Sequence, residues 1–200
     1  MGDFKTLTEM VRMAQDNLDK GDWDYLVGAA DTEASLRRNR AAVDSWAFLP
    51  RILQDVSDVK ISAHMLGETL RIPVVLPPIG SIQAFTKDGG TAVAQAAGEF
   101  GVLQILSSSC MPDFQMVAQT VPGPRIYQLY LTGDRAWLDD QIERTIDSGY
   151  IGFCLTADTQ VYSRRERDIM KGYVPMQARM AAGTMVCLLY TSDAADDLVC

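Results

Sequence analysis

Cysteine is sparse in this chain. Cys110, Cys154, Cys187 and Cys200 lie far apart with no Cys-x-x-Cys pair, so neither a zinc framework nor a disulfide scaffold is expected. Clustered positive charge is scarce too. The formal net charge is −8, and lysines and arginines are scattered singly except in Ser163-Arg164-Arg165-Glu166-Arg167-Asp168. No basic face exists to hold a phosphate backbone, which argues against a nucleic-acid partner. Apolar runs stay short of the roughly 18 residues that a spanning helix needs, and Met1-Gly2-Asp3-Phe4-Lys5 leads straight into charged sequence without the apolar core of a signal peptide. These absences set the expectation of a reduced, cytoplasmic protein. What is present, 48% hydrophobic and 22% charged residues in a chain of 200, is the balance of a globular domain.

The chain divides into three zones. Residues 1–70 read as a cap and lead-in. Thr6-Leu7-Thr8-Glu9 has capping-box spacing, and Leu7, Met10, Val11, Ala14 and Leu18 follow at helical intervals until Gly21. A short polar stretch, Trp23-Asp24-Tyr25, precedes a charged helical segment from Ala30 to Val43. Phe48–Leu53 and Val59–Ile61 then read as extended pieces bounded by Pro50 and Gly67. Residues 71–185 repeat a strand-helix rhythm of about 25 to 30 residues. Pro73–Leu76, Val102–Leu106, Arg125–Leu129 and Ile151–Leu155 are short, nearly continuous apolar runs, as in parallel strands buried on both faces. Helical stripes lie between them: Thr91, Val93, Ala94, Ala97 and Phe100 closed by Gly101, and Leu138, Ile142, Thr145 and Ile146 between Asp134 and Gly149.

Four such units suit either a doubly wound sheet or half of an eight-unit barrel. The polar residues favour the barrel. Pro78-Ile79-Gly80-Ser81, Ser107-Ser108-Ser109, Gln128 with Tyr130, and Thr156 with Asp158 each stand at the carboxyl end of a run, where parallel barrels converge on one catalytic mouth. The dinucleotide alternative wants Gly-x-Gly-x-x-Gly, and Lys87-Asp88-Gly89-Gly90-Thr91 has the wrong spacing.

Five motifs stand in order along residues 6–180: Asn39-Arg40; Phe48-Leu49-Pro50-Arg51-Ile52-Leu53-Gln54-Asp55-Val56; Gln128-Leu129-Tyr130; Leu155-Thr156-Ala157-Asp158-Thr159; and Arg164-Arg165-Glu166-Arg167-Asp168-Ile169. Together they resemble the FMN-dependent α-hydroxy-acid oxidases and dehydrogenases, the group of glycolate oxidase, lactate oxidase and mandelate dehydrogenase. The resemblance implies the first half of a (β/α)8 TIM barrel with an N-terminal helical cap. It implies FMN as cofactor, a 2-hydroxy acid as substrate, a 2-keto acid as product, oxygen or another electron acceptor, and a homo-oligomeric full-length parent. For cofactor binding it implies backbone contacts to the flavin ring from Pro78, Ile79 and Gly80, where a glycine admits a flat ligand. Side-chain hydrogen bonds to the pyrimidine edge would come from Ser107, Gln128 and Thr156. The substrate carboxylate falls to Tyr25, Tyr130 and Arg165, with Tyr130 and Arg165 also implied as catalytic residues; a guanidinium fork and two phenols suit that group.

Apart from the resemblance, the same residues have plainer readings. The arginine run is a solvated loop, Tyr130 a core tyrosine, Tyr25 a plug at the end of the barrel, and Ser107 and Thr156 helix caps. Gln128 resists such a reading, since a buried amide on a parallel strand needs several partners. The three tryptophans and ten methionines are read as packing.

His64, the only histidine, is the tempting general base. It stands before the first barrel strand and is read as structural or exposed. The family's base is a histidine further downstream than any residue here, and residues 1–185 alone are expected neither to hold nor to reduce flavin. Residues 186–200, with Cys187 and Cys200, continue neither the strand rhythm nor the family pattern and are read as a non-native tail. Gly80 and Ser109 point to a roomy pocket and a medium-chain or aromatic acid, while Gln160-Val161-Tyr162-Ser163 departs from the glycolate-oxidase form of its loop.

Overall fold

The structure is a computed structural model, and it describes residues 4–158 and 163–173. Thr159, the Gln160–Tyr162 stretch, residues 174–185 and the 186–200 segment with Cys187 and Cys200 lie outside the described residues. The described residues form two compact units, one up to Gln54 and again from Ser163 onward, the other from Asp55 to Asp158.

The first unit is helical. Helix α1 spans Leu7–Asn17, and its capping box forms as the spacing predicts: the Thr6 hydroxyl accepts from the Glu9 N–H at 3.2 Å while the Glu9 carboxylate takes the Thr6 N–H at 3.1 Å. Trp23-Asp24-Tyr25, read as a polar stretch, instead lies within a second helix, α2, Lys20–Val27. Asp19 makes this possible by accepting the Asp22 N–H at 2.8 Å, so a new helix starts where the first stripe was expected to run on. Helix α3, Ala34–Asp44, begins four residues later than the pattern suggested, because Ala30–Glu33 forms a turn and Glu33 itself is left-handed at φ 59°. The Phe48–Leu53 and Val59–Ile61 pieces join no sheet. Phe48 is 101% exposed, and among the described residues no strand lies beside it to supply a ladder.

In the second unit an antiparallel hairpin comes first, β1 (Ala63–Met65) and β2 (Glu68–Leu70). Leu66 and Gly67 both have positive φ, 51° and 83°, which matches the right-handed twist of a two-residue hairpin turn. Four parallel strands follow: β3 (Val75–Leu76), β4 (Leu103–Ser107), β5 (Arg125–Tyr130) and β6 (Gly152–Thr156). Their spatial order is β3-β4-β5-β6. A doubly wound sheet reverses its strand order at a switch point; this one does not. Every connection instead steps to the next strand, as in a barrel.

The helices between them confirm the winding. Helices α4 (Gly89–Phe100), α5 (Phe114–Thr120) and α6 (Arg135–Asp147) bury Ala94, Phe114, Val117, Trp137 and Leu138 against Leu106, Tyr127, Leu129 and Phe153. One face of the sheet therefore carries the helices. The other gathers Leu103 and Ile126 with Val75, Ile105 and Ile151, and Leu70 of the hairpin closes over them. Helix α5 escaped the sequence reading; its seven residues are too few for a full stripe, although Asp113 caps it by accepting the Met116 N–H at 2.8 Å. Gly101 and Gly149, the expected helix stops, both have positive φ, 87° and 78°. The result is a four-strand portion of an α/β barrel with helices on its outside.

Candidate active site

Side chains alternate across a strand, so the inner face is read directly from the register. Ser107 pairs with Gln128, Gln128 with Cys154, and Tyr130 with Thr156. Ser107, Gln128, Tyr130 and Thr156 thus share the helix-free face, at the carboxyl ends of their strands. Below them that face is apolar; at this end it is polar.

Gln128 is 2% exposed. Its Nε2 donates to the Thr156 hydroxyl at 2.6 Å, while Oε1 is buried with no partner among the described residues. A buried acceptor left open costs about 1–3 kcal/mol, and such exceptions call for a cause. Gln104 also has an orphan Oε1, but it lies on the helix side, where Nε2 reaches the Gly90 carbonyl at 3.5 Å. Among the described residues, only Gln128 is orphaned at the polar mouth. Ser107 is 2% exposed, and its hydroxyl accepts the Ser109 N–H at 3.2 Å. The plainer reading, a cap for the next helix, does not hold, since Asp113 caps that helix; Ser107 instead accepts within its own turn, leaving the hydroxyl proton to be directed elsewhere.

Pro78, Ile79 and Gly80 form the connection leaving β3. The Ile79 carbonyl accepts from the Cys110 thiol at 2.9 Å, and burial pushes that thiol above its ordinary range, keeping it a protonated donor. Ser81 is 1% exposed and left-handed at φ 58°. Strand-end position drew attention to Ser81, but spacing did not single out Gln83 or Cys110, because their partners lie about thirty residues away in another loop.

In the helical unit, Arg165 precedes α7 (Glu166–Lys171). Its Nη2 donates to the carbonyls of Tyr25 and Gly28, each at 2.6 Å, and its guanidinium lies 4.5 Å from the centre of the Tyr25 ring. A cation at the carboxyl end of α2 is favoured by the helix dipole, and its stacking on a phenol adds to that. Asp168, 7% exposed, approaches Arg165 Nε at 3.6 Å. Neighbouring Arg167 pairs with Glu33 at 2.6 Å and with Asp24 at 3.5 Å, and Lys171 also meets Asp24; the bond from Arg167 holds the Glu33 carboxyl below its usual value. Arg165 is therefore not the solvated loop residue of the plain reading. It and Tyr25 are brought together, while Tyr130 belongs to the other unit, at the end of β5.

His64 lies on β1, its Nδ1 3.1 Å from the Thr69 hydroxyl. That pair spans the hairpin whose Leu70 closes the apolar end of the strands, opposite the polar mouth. His64 is exposed there, within the reading of a structural or exposed histidine.

Comparison with known proteins adds to this geometry. The family model for FMN-dependent dehydrogenases matches residues 14–196. Glycolate oxidase 1 of Oryza sativa subsp. indica is 35% identical over 174 residues, 87% of this chain and 47% of that protein; glycolate oxidase of Spinacia oleracea is 31% identical over 172 residues, 86% and 47%. Among solved structures, a mandelate oxidase bound to 3,3-difluoro-2-hydroxy-3-phenylpropionic acid superimposes with a TM-score of 0.81 at 30% identity, covering 87% of this chain and 53% of the other. A soluble mutant of the membrane-associated (S)-mandelate dehydrogenase from Pseudomonas putida gives 0.82 at 27%, covering 96% and 52%. The chain spans about half the length of the relatives it matches. With a parallel strand order that steps without reversal, polar strand ends on one face and a family match over most of its residues, the chain belongs to the FMN-dependent dehydrogenase family.

Proposed function

We propose that the protein carrying this chain oxidises a 2-hydroxy acid to a 2-keto acid with FMN, and that this chain supplies one side of the flavin site and part of the substrate clamp. The observation that carries the reading is the orphan Oε1 of Gln128 at the polar mouth. The residues fit the cofactor: a flavin pyrimidine edge presents an N–H between two carbonyls, and Gln128 offers an open acceptor with Ser107 and Thr156 hydroxyls on the same face. Pro78, Ile79 and Gly80 would meet the ring through their backbone. When bound, the flavin supplies the acceptor for the α-hydrogen as a hydride equivalent.

The chain's own residues do the holding. Arg165, fixed by two carbonyls and stacked on Tyr25, would receive the substrate carboxylate on Nη1, with the Tyr25 and Tyr130 hydroxyls as further donors; Tyr130 and Arg165 are the catalytic residues in this reading. Fixing the carboxylate sets which face of the α-carbon is presented. In this reading the hydroxyl proton leaves to the family's histidine, a role that His64, on the hairpin at the opposite end of the strands, does not fill. The electrons pass on to oxygen or another acceptor. Small groups at Gly80 and Ser109 favour a medium-chain or aromatic acid, and the structural neighbours named for mandelate support that preference. Compartment varies among relatives, one being named peroxisomal and another a monotopic membrane protein.

Arg165→Lys tests the clamp. An ammonium cannot both cap two carbonyls and offer a guanidinium edge, so KM for the hydroxy acid is expected to rise at least about tenfold, with a smaller fall in kcat. An unchanged KM would remove Arg165 from the substrate site.

A further inference from the structure

We infer that Gln83 and Cys110 are positioning residues for the turn Pro78–Gly80, clamping the connection that leaves β3 onto the connection that leaves β4. The inference rests on the flavin reading above. Two connections about thirty residues apart in sequence are joined here by four hydrogen bonds, and a fifth comes from the first turn of α4. The Ser81 N–H donates to the Ser109 carbonyl at 3.1 Å, and the Gly90 N–H to the Met111 carbonyl at 2.9 Å. Cys110 Sγ donates to the Ile79 carbonyl at 2.9 Å. Gln83 works in both directions: Oε1 accepts the Met111 N–H at 3.0 Å, and Nε2 reaches the Ser109 carbonyl at 3.5 Å.

The clamp encloses a conformation that the chain would not adopt unaided. Ser81 is left-handed and buried, directly after the residues assigned to the flavin ring. A non-glycine residue in that region persists only where its surroundings over-determine it, and such residues gather at ligand clamps. Close approach is enforced at the far end too: a Cβ on Gly89 would stand 1.9 Å from the Met111 carbonyl oxygen. The Gln83 carboxamide and the Cys110 thiol are side chains that tie the second loop to this turn. Neither need touch flavin; each acts through the backbone it holds.

Gln83→Ala, Cys110→Ala and Cys110→Ser in the flavin-loaded protein test this, read by FMN dissociation constant, by amide hydrogen exchange at Ser81 in the flavin-free form, and by melting temperature. Gln83→Ala is expected to weaken FMN binding about tenfold and to speed exchange at Ser81 while Leu106 in β4 keeps its protection. Cys110→Ala should weaken binding severalfold, and Cys110→Ser, which keeps a donor, should stay within about twofold of the parent. A folded Gln83→Ala protein with unchanged Ser81 exchange overturns the clamp. Faster exchange with unchanged FMN affinity overturns its bearing on the cofactor. If the unsubstituted protein takes up no FMN, the functional reading fails and the clamp is decided by Ser81 exchange alone. Should Gln83→Ala not fold, Gln83→Glu keeps the acceptor for Met111 and loses the donor to Ser109, and is judged by the same two readouts.

Discussion

At the scale of single residues, the site is poised rather than optimised for the bare chain. Gln128 keeps a buried acceptor open, which is a stability cost that an apolar residue of the same length would relieve. In the protein carrying this chain, Gln128→Met is therefore expected to raise the stability of the flavin-free form by about 1 kcal/mol while lowering flavin affinity at least about tenfold. Denaturant melts beside flavin titrations would check it, and a variant that is less stable yet binds flavin normally would contradict the assignment. The aromatic cluster behind the sheet makes a different prediction. Burial pushes the Tyr127 phenol up to about 12 and raises Tyr150 as well. A raised phenol favours the neutral folded form, so its stabilisation is complete below the ordinary value of 10 and is lost as pH climbs toward 12. Stability should fall by about 1 kcal/mol by pH 11 from Tyr127 alone, and Tyr127→Phe should flatten that slope in urea melts at pH 9 and pH 11.

At the scale of elements, what was legible followed from local chemistry. Thr6 and Glu9 capped α1, Gly101 and Gly149 stopped α4 and α6, and the four apolar runs became β3 to β6, three of them within a residue of the expected bounds. The misreadings have physical causes. Asp19 starts a helix in a sequence too polar to show a stripe, and α5 is too short to show one. Phe48–Leu53 reads as strand by composition, but a strand needs a partner edge, and composition does not provide one. The site divided in the same way. Gln128, Ser107 and Thr156 could be placed on one face from strand alternation alone; the Gln83 and Cys110 clamp could not, since contacts between distant loops leave no periodic trace. Helix α4 offers a check on that junction. Gly89→Ala would place a Cβ against the Met111 carbonyl at a positive φ of 49°, so the loss should exceed the roughly 1–3 kcal/mol of the left-handed conformation itself. A melting temperature equal to the parent's would show that the two connections do not approach as closely as described.

At the scale of the whole molecule, strand order decides the architecture and the polar mouth decides the chemistry. Sequential parallel strands put every carboxyl end at one rim, so residues from four separate segments, none notable alone, converge there. Within the helical unit, taken by itself, an arginine is fixed by two carbonyls and stacked on a phenol. The relatives it matches are about twice as long, and the proposed reading places the base for the hydroxyl proton among residues beyond those described. The central claim is that a flavin held at this rim takes hydrogen from a 2-hydroxy acid. Mixing the FMN-loaded protein with mandelate and with glycolate in the absence of oxygen, and following the visible absorbance of oxidised flavin, tests it most directly. Loss of that absorbance with formation of the 2-keto acid, faster with mandelate, is the predicted result; a bound flavin that stays oxidised with both acids would contradict the account.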